Sequence, residues 1–299
     1  NAMTGGTEIS EDINEDLSNI CRELNIPMAV GSESIAIKDK DSRESFSLLK
    51  DKNVIKIGNL GWENKIENFE FAKDLIGASA MQAHLNIAQE LVMDEGERDF
   101  SKNIEKANII RKYMPHAGLT TDIIVGFPGE SQEDFEDSMK IVKEVGFGMS
   151  KEVGQKLLDI GVKYIDVAGK GGTNFIEIED MRIFDKDYSE FYSWGIPTAK
   201  SILDVRSLSD DFFLIASGGI RNSSDVCKSL IIGADMCAIS GEVLSFLLRG
   251  DYDYAIKYLK ELNTKIKIFM ALVGVKNIEE LKKVPYKLTG RLKELLDEN

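Results

Sequence analysis

The 299-residue sequence contains only three cysteines and two histidines. Cys21, Cys227 and Cys237 are odd in number, and their spacing matches no metal cluster. They read as free buried thiols of a reducing compartment, not as a disulfide framework. Long apolar runs are missing too: none approaches the ~18 residues of a membrane-spanning helix. No signal-peptide pattern is present, so the expected location is the cytoplasm. Basic residues are in deficit, with 37 Lys and Arg against 51 Asp and Glu and a formal net charge of -14. Such a chain is a poor partner for nucleic acid, which needs a basic surface. A small phosphorylated ligand remains compatible, because a few backbone N–H groups and one or two basic side chains hold a phosphate locally. No low-complexity linker divides the chain.

What is present is a recurring unit of short apolar run, glycine turn and amphipathic stretch. That alternation predicts βα units and a parallel sheet. The expected strands are Pro27–Val30, Val54–Asn59, Ala78–His84, Asp122–Phe127, Tyr164–Val167, Phe213–Ala216 and Met236–Ile239. Helical patterns cover Ile13–Leu24, Val153–Ile160 and Ser224–Leu230, the last with Ser224 as its N-cap. Beyond Asp251 the chain reads as Tyr252–Leu262, a long apolar-periodic stretch, and Gly290–Leu296. The number of strands and the polar residues at their C-terminal ends favour a single α/β domain, a (β/α)8 TIM barrel spanning 1–299, over an open doubly wound sheet.

The chemistry-bearing residues sit at these strand ends. Asn1-Ala2-Met3-Thr4-Gly5-Gly6 is either a tag remnant or the end of a strand whose apolar part lies upstream. Val30-Gly31-Ser32 and Gly58-Asn59-Leu60-Gly61 put small polar groups at a barrel mouth. His84-Leu85-Asn86-Ile87-Ala88-Gln89-Glu90 gathers imidazole, amide and carboxylate groups within seven residues. The carboxylate there suits a hard cation. Three later turns form the most specific set: Asp166-Val167-Ala168-Gly169-Lys170-Gly171-Gly172-Thr173, Ala216-Ser217-Gly218-Gly219-Ile220-Arg221 and Ile239-Ser240-Gly241. Glycine N–H groups after the last barrel strands commonly make a phosphate site.

In order, AMTGG, VGS, NLG, HLNxxQE, KEVGFGMS, DVAGKGGTNF, WGIPTA, ASGGIR and ISG resemble the type 2, FMN-dependent isopentenyl-diphosphate delta-isomerases. Lactate oxidases and dihydroorotate dehydrogenases share the glycine turns but not HLNxxQE with GGTNF. The resemblance implies an FMN-dependent barrel that isomerises isopentenyl diphosphate to dimethylallyl diphosphate with reduced FMN, Mg2+ and NADPH as reductant. It implies flavin contacts at Met3, Thr4, Ser32, Asn59, Lys143, Thr173, Gly219, Arg221, Ser240 and Gly241. His84, Asn86 and Gln89 would hold the substrate, with Gln89 catalytic, and Glu90 would bind Mg2+. A tetramer or octamer is implied as well. The alternatives are an FMN-binding barrel without turnover, a non-enzymatic chimeric or partly folded barrel, and a flavin oxidoreductase acting on another small anion.

Departures are visible. The family's basic N-terminal segment is not in the sequence. Glu33 and Ser34 stand where the family often has Gln-Arg, so weaker diphosphate binding and repulsion from Glu33 are expected. Residues 107–139 instead resemble a radical-SAM methylthiotransferase segment, from Arg111-Lys112-Tyr113-Met114-Pro115 through Leu119–Glu130 to Glu133-Asp134-Phe135. No CxxxCxxC accompanies it, so no radical chemistry is expected. In this stretch Asp122–Val125 reads as a strand. Phe135, Met139, Val142 and Val145 share one helical face after Ser131, while the family places 141–145 in a strand. The sequence leaves 140–145 open between the two. A helix would take Lys143 away from the flavin.

Overall fold

The structure is a computed structural model that describes residues 5–61, 64–85, 123–124, 141–144, 146–159, 161–182 and 187–297. It opens on helix α1, Glu8–Leu24. Ile13, Leu17 and Ile20 recur at helical spacing and are buried, which pins this face to the core. The helix starts five residues ahead of the sequence-based expectation because Thr7 caps it, its Oγ1 accepting the Ser10 N–H at 3.3 Å. Asn25 closes it in the left-handed region at φ 52.

Strand β1 (Met28–Ala29) is followed by α2 (Ser34–Lys38), α3 (Glu44–Ser47), β2 (Lys56–Gly61), α4 (Ile66–Ile76) and β3 (Ala80–Leu85). Next come β4 (Ile123–Ile124), β5 (Ile141–Glu144), α5 (Lys151–Asp159), β6 (Tyr164–Asp166), α6 (Phe175–Arg182) and α7 (Thr198–Arg206). The last part holds β7 (Phe213–Ala216), α8 (Ser223–Ile231), β8 (Met236–Ile239), α9 (Gly241–Leu247), α10 (Tyr252–Leu272), α11 (Ile278–Leu281) and α12 (Gly290–Asp297). The apolar-periodic stretch after Leu262 is thus a continuation of α10, not a separate element. Helix α8 is capped by Asn222, whose Oδ1 accepts the Asp225 N–H at 3.0 Å, and not by Ser224. Asn222 has the extended backbone an N-cap requires, whereas Ser224 already lies inside the helix.

The sheet order is β1-β2-β3-β5-β6-β7-β8-β4. Seven strands are parallel neighbours in sequence order, as βα units dictate. The eighth, β4, pairs antiparallel with β8 and also approaches β1. This corrects the expectation of eight parallel strands. A two-residue ladder satisfies its donors and acceptors in either direction. Of the expected strand Asp122–Phe127, only Ile123 and Ile124 lie within the described residues.

For residues 141–144 the strand prevails over the helix. β5 pairs with β3 on one side and β6 on the other, so His84, Lys143 and Asp166 share one register row. Two ladders outweigh a local helical face. All three cysteines are free and buried. Burial pushes the Cys21 thiol up to about 12 and Cys227 to about 11, which keeps both inert at neutral pH. No helix among the described residues is long and apolar enough to cross a membrane.

Candidate functional site

At the C-terminal ends of β5 to β8 lies a cavity of about 300 Å3. Its lining brings together Thr173, Gly219, Arg221, Ser240 and Gly241, five of the residues at which the family resemblance implies flavin contacts. Gly146, Ala168, Gly172, Ser217, Gly218 and Glu242 complete most of the wall. A glycine-rich wall exposes backbone where a side chain would otherwise stand, which suits a phosphate. Among the described residues, Arg221 is the one basic residue of the lining. Its Nη2 donates to the Gly171 carbonyl at 3.0 Å, and its Nε lies 3.5 Å from Glu242 Oε1. Tyr258 adds a hydrogen bond to the Arg221 carbonyl at 2.8 Å, anchoring the turn to α10.

The wall owes its shape to two turns packed backbone to backbone. The Gly169 N–H donates to Ser217 O at 2.9 Å, and Thr198 Oγ1 donates to Gly218 O at 2.6 Å. A Cβ on Gly218, at φ +92, would stand 2.0 Å from Gly169 O. The glycines are therefore required first for the fit of one turn against the other.

Beneath them, buried Asp166 accepts from Ser217 Oγ at 2.6 Å and from the Ala168 N–H at 3.1 Å. Ala168 sits at φ 32, unusual for a residue with a side chain, and its carbonyl accepts from Gly146 and Gly148. That conformation persists because hydrogen bonds on both sides of it over-determine the turn. Sequence reasoning missed Asp166, Ser217 and Glu242 as individual site residues. The first two were detectable as an acid and a hydroxyl ending apolar strands; Glu242 carried no such signal.

On the β1–β3 side, Asn59 and His84 meet. His84 Nδ1 lies 2.9 Å from Asn59 Oδ1. With the carboxamide oriented so, Nδ1 carries the proton, which sets the tautomer of the ring. Ser32 Oγ donates to Ser34 Oγ at 3.1 Å, and Asn64 reaches the same Ser34 oxygen at 3.3 Å. These residues do not line the glycine cavity.

A Cβ on Gly5 would stand 2.1 Å from Phe46 Cζ, so the Phe46 ring takes that space. Met3, Thr4, Asn86, Gln89 and Glu90 lie outside the described residues, and for Lys143 only the backbone is described.

Glu33 corrects an expectation. It does not face the mouth as a repelling charge; it is fully buried, with Oε2 accepting the Asn59 N–H at 2.9 Å. Its carboxyl fits into the hollow that side-chain-free Gly58 leaves. Burial, opposed only by the Asn59 hydrogen bond, raises its pKa well above the ordinary carboxylate range. The folded protein then holds a proton that the unfolded chain releases. Stability is complete below the ordinary carboxylate pKa and falls as pH climbs toward the folded value. Glu33→Gln is expected to stabilise the protein by about 1–3 kcal/mol at pH 8 and to change little at acidic pH. Thermal unfolding of both proteins at pH 4.5 and 8 checks this. Equal midpoint differences at the two pH values would refute the neutral carboxyl.

Residues 137–286 match the family model of FMN-dependent dehydrogenases. The chain is 39% identical over 293 residues to the isopentenyl-diphosphate delta-isomerase of Bacillus pumilus (strain SAFR-032), covering 97% of this chain and 76% of that relative. The chain belongs to the isopentenyl-diphosphate delta-isomerase family. The enzyme of that name from Listeria welshimeri is 36% identical over 297 residues, covering 98% of this chain and 77% of the relative. Both alignments run nearly end to end along the chain and so span residues 107–139. Among solved structures, mandelate oxidase with benzoyl-formic acid superposes with a TM-score of 0.61, covering 92% of this chain and 73% of that one. At 14% identity this likeness shows a shared fold, that of the FMN-dependent barrels.

Proposed function

We propose that the chain isomerises isopentenyl diphosphate to dimethylallyl diphosphate, a step of isoprenoid biosynthesis, using reduced FMN and Mg2+ with NADPH as reductant. Family membership supports the reaction. The observation that carries the cofactor is the glycine-walled cavity with Arg221 at its side. The residues fit FMN: the two Gly-Gly turns and Ser240 would hold its phosphate, with Arg221 supplying the opposite charge. Bound and reduced, FMN supplies the acid–base centre of the double-bond shift.

The chain's own groups bind and orient. Asn59 fixes the His84 ring, so that Nε2 is the nitrogen that addresses the substrate. By resemblance, Asn86 and Gln89 would hold the substrate, Gln89 beside the reacting carbons, and Glu90 would bind Mg2+ at the diphosphate. In this reading the protein acts in the cytoplasm as a homo-oligomer and engages neither nucleic acid nor membrane.

Titration with FMN and with riboflavin, followed by flavin fluorescence, tests the cofactor site. Saturable FMN binding is expected, together with turnover under anaerobic, reducing conditions. Arg221→Ala is expected to weaken FMN roughly tenfold, the scale of one charge-assisted hydrogen bond, while leaving riboflavin unchanged. A cooperatively folded sample that binds no FMN would refute the reading.

A further inference from the structure

Three buried polar atoms on the inner face of β2 and β3 have no partner among the described residues: Asn59 Nδ2, Gln82 Nε2 and Gln82 Oε1. Asn59 and Gln82 are both fully buried. Each such atom costs about 1–3 kcal/mol if nothing answers it. A glutamine with both amide atoms unanswered in a strand core is a poor structural choice, since Leu or Met would pack there at no such cost.

Strand geometry says where these atoms gather. Asn59 and Gln82 are register partners in the parallel ladder, so their side chains share one face roughly 4.8 Å apart. His84, two residues on, shares that face and already bonds Asn59 Oδ1. Met81 and Ala83 point the other way, into the apolar core. Gln82 therefore stands beside Asn59 in one row, immediately below His84, on the side of the barrel interior.

Chemically, the three atoms are two N–H donors and one carbonyl acceptor. That set complements an imide edge, in which one N–H stands between two carbonyls. The pyrimidine ring of a flavin carries such an edge. We infer that Gln82 is a cofactor-contacting residue, its carboxamide pairing with the flavin imide N–H and one flanking carbonyl while Asn59 Nδ2 takes the other. The inference rests on the FMN reading and extends it from the phosphate end to the ring. Gln82 recognises the ring without charge, and so adds specificity where the phosphate site adds affinity.

The test modifies the ligand as well as the protein. Unsubstituted protein is titrated with FMN and with FMN methylated at the imide nitrogen, N3, and Kd is read from fluorescence. Methylation is expected to weaken binding about tenfold or more, because it removes one donor and clashes with the Gln82 carbonyl. Gln82→Leu is expected to weaken FMN about tenfold and to abolish the preference for the unmethylated ring. The visible band of bound FMN should shift between the two proteins, a readout that a packing role would not move. Equal affinity of the unsubstituted protein for both flavins would overturn the inference, as would a Leu variant that keeps the preference. If Gln82→Leu does not fold, Gln82→Met replaces it, and the methylated ligand decides on the unsubstituted protein alone. Failure to bind any FMN refutes the cofactor reading itself; FMN binding that ignores the methyl group refutes only the role of Gln82.

Discussion

Gly218→Ala is expected to abolish FMN binding, with affinity reduced by at least about 100-fold. Gly218 adopts φ +92, which L side chains rarely take. The added Cβ would also stand 2.0 Å from Gly169 O and 2.7 Å from Gly169 N. Neither neighbour is a flexible side-chain end, so the whole Ala168–Gly172 turn must move. That turn carries Gly172 and leads to Thr173, both in the cavity wall, and it receives the Arg221 guanidinium on Gly171 O. One methyl group therefore disturbs both the glycine wall and the cation beside it. Gly274→Ala is the control. It too has positive φ, at +79, but its Cβ would meet nothing within 4 Å. It is expected to cost about 1 kcal/mol of stability and no FMN affinity. Fluorescence titration and thermal unfolding of the two variants measure the contrast. Similar Kd values for both would show that the turn-to-turn contact does not shape the site.

Lys56→Met is expected to lower stability by roughly 3 kcal/mol, about 1 for each hydrogen bond lost. Lys56 opens β2 and is only 4% exposed. Its Nζ donates to the carbonyls of Leu49, Lys50 and Lys52 at 2.8, 3.0 and 2.8 Å. These carbonyls lie in the turn after α3, where Leu49 O and Lys52 O each accept only one backbone N–H, from Lys52 and Val54. The ammonium caps them and joins the α3 turn to the sheet. Burial pulls its pKa down, opposed by the charge of Asp51. Methionine fills the volume but removes all three bonds: Leu49 O and Lys52 O keep the N–H groups of Lys52 and Val54, at 3.0 Å each, while Lys50 O is left with no partner among those described. Because Lys56 lies at the opposite end of β2 from Asn59, FMN affinity of the folded variant should be unchanged. Denaturant unfolding together with FMN titration separates the two effects. A loss of less than 1 kcal/mol would mean that solvent reaches these carbonyls.

Local pattern made much of the molecule legible. Phe213–Ala216 and Met236–Ile239 form the strands expected of short apolar runs bounded by turn residues. The glycine turns after β6, β7 and β8 were legible for the same reason: each follows an apolar strand, and a barrel brings successive strand ends together. Thr173, Gly219, Arg221, Ser240 and Gly241 were accordingly found in one cavity. The family was legible too, because short motifs in a fixed order survive substitution between them.

Other features depended on partners remote in sequence. Residues 141–144 carry both a helical face and a strand-like run, and only the ladders to β3 and β6 decided between them. The direction of β4 followed from the strand edge it met, not from Ile123 and Ile124 themselves. Glu33 shows the same limit most sharply. As a letter after a Gly-Ser turn it reads as a surface charge; in the fold it is a buried acid held in the space left by Gly58 and against the N–H of Asn59, with its pKa raised by burial. Gln82 looks like an ordinary residue within a strand until register sets it beside Asn59 with both amide atoms unanswered among the described residues. Sequence by itself determined periodicity, turn chemistry and family, which depend on residues near one another along the chain. Tertiary structure decided protonation, strand choice and the grouping of polar side chains, because burial and hydrogen-bond partners are properties of space.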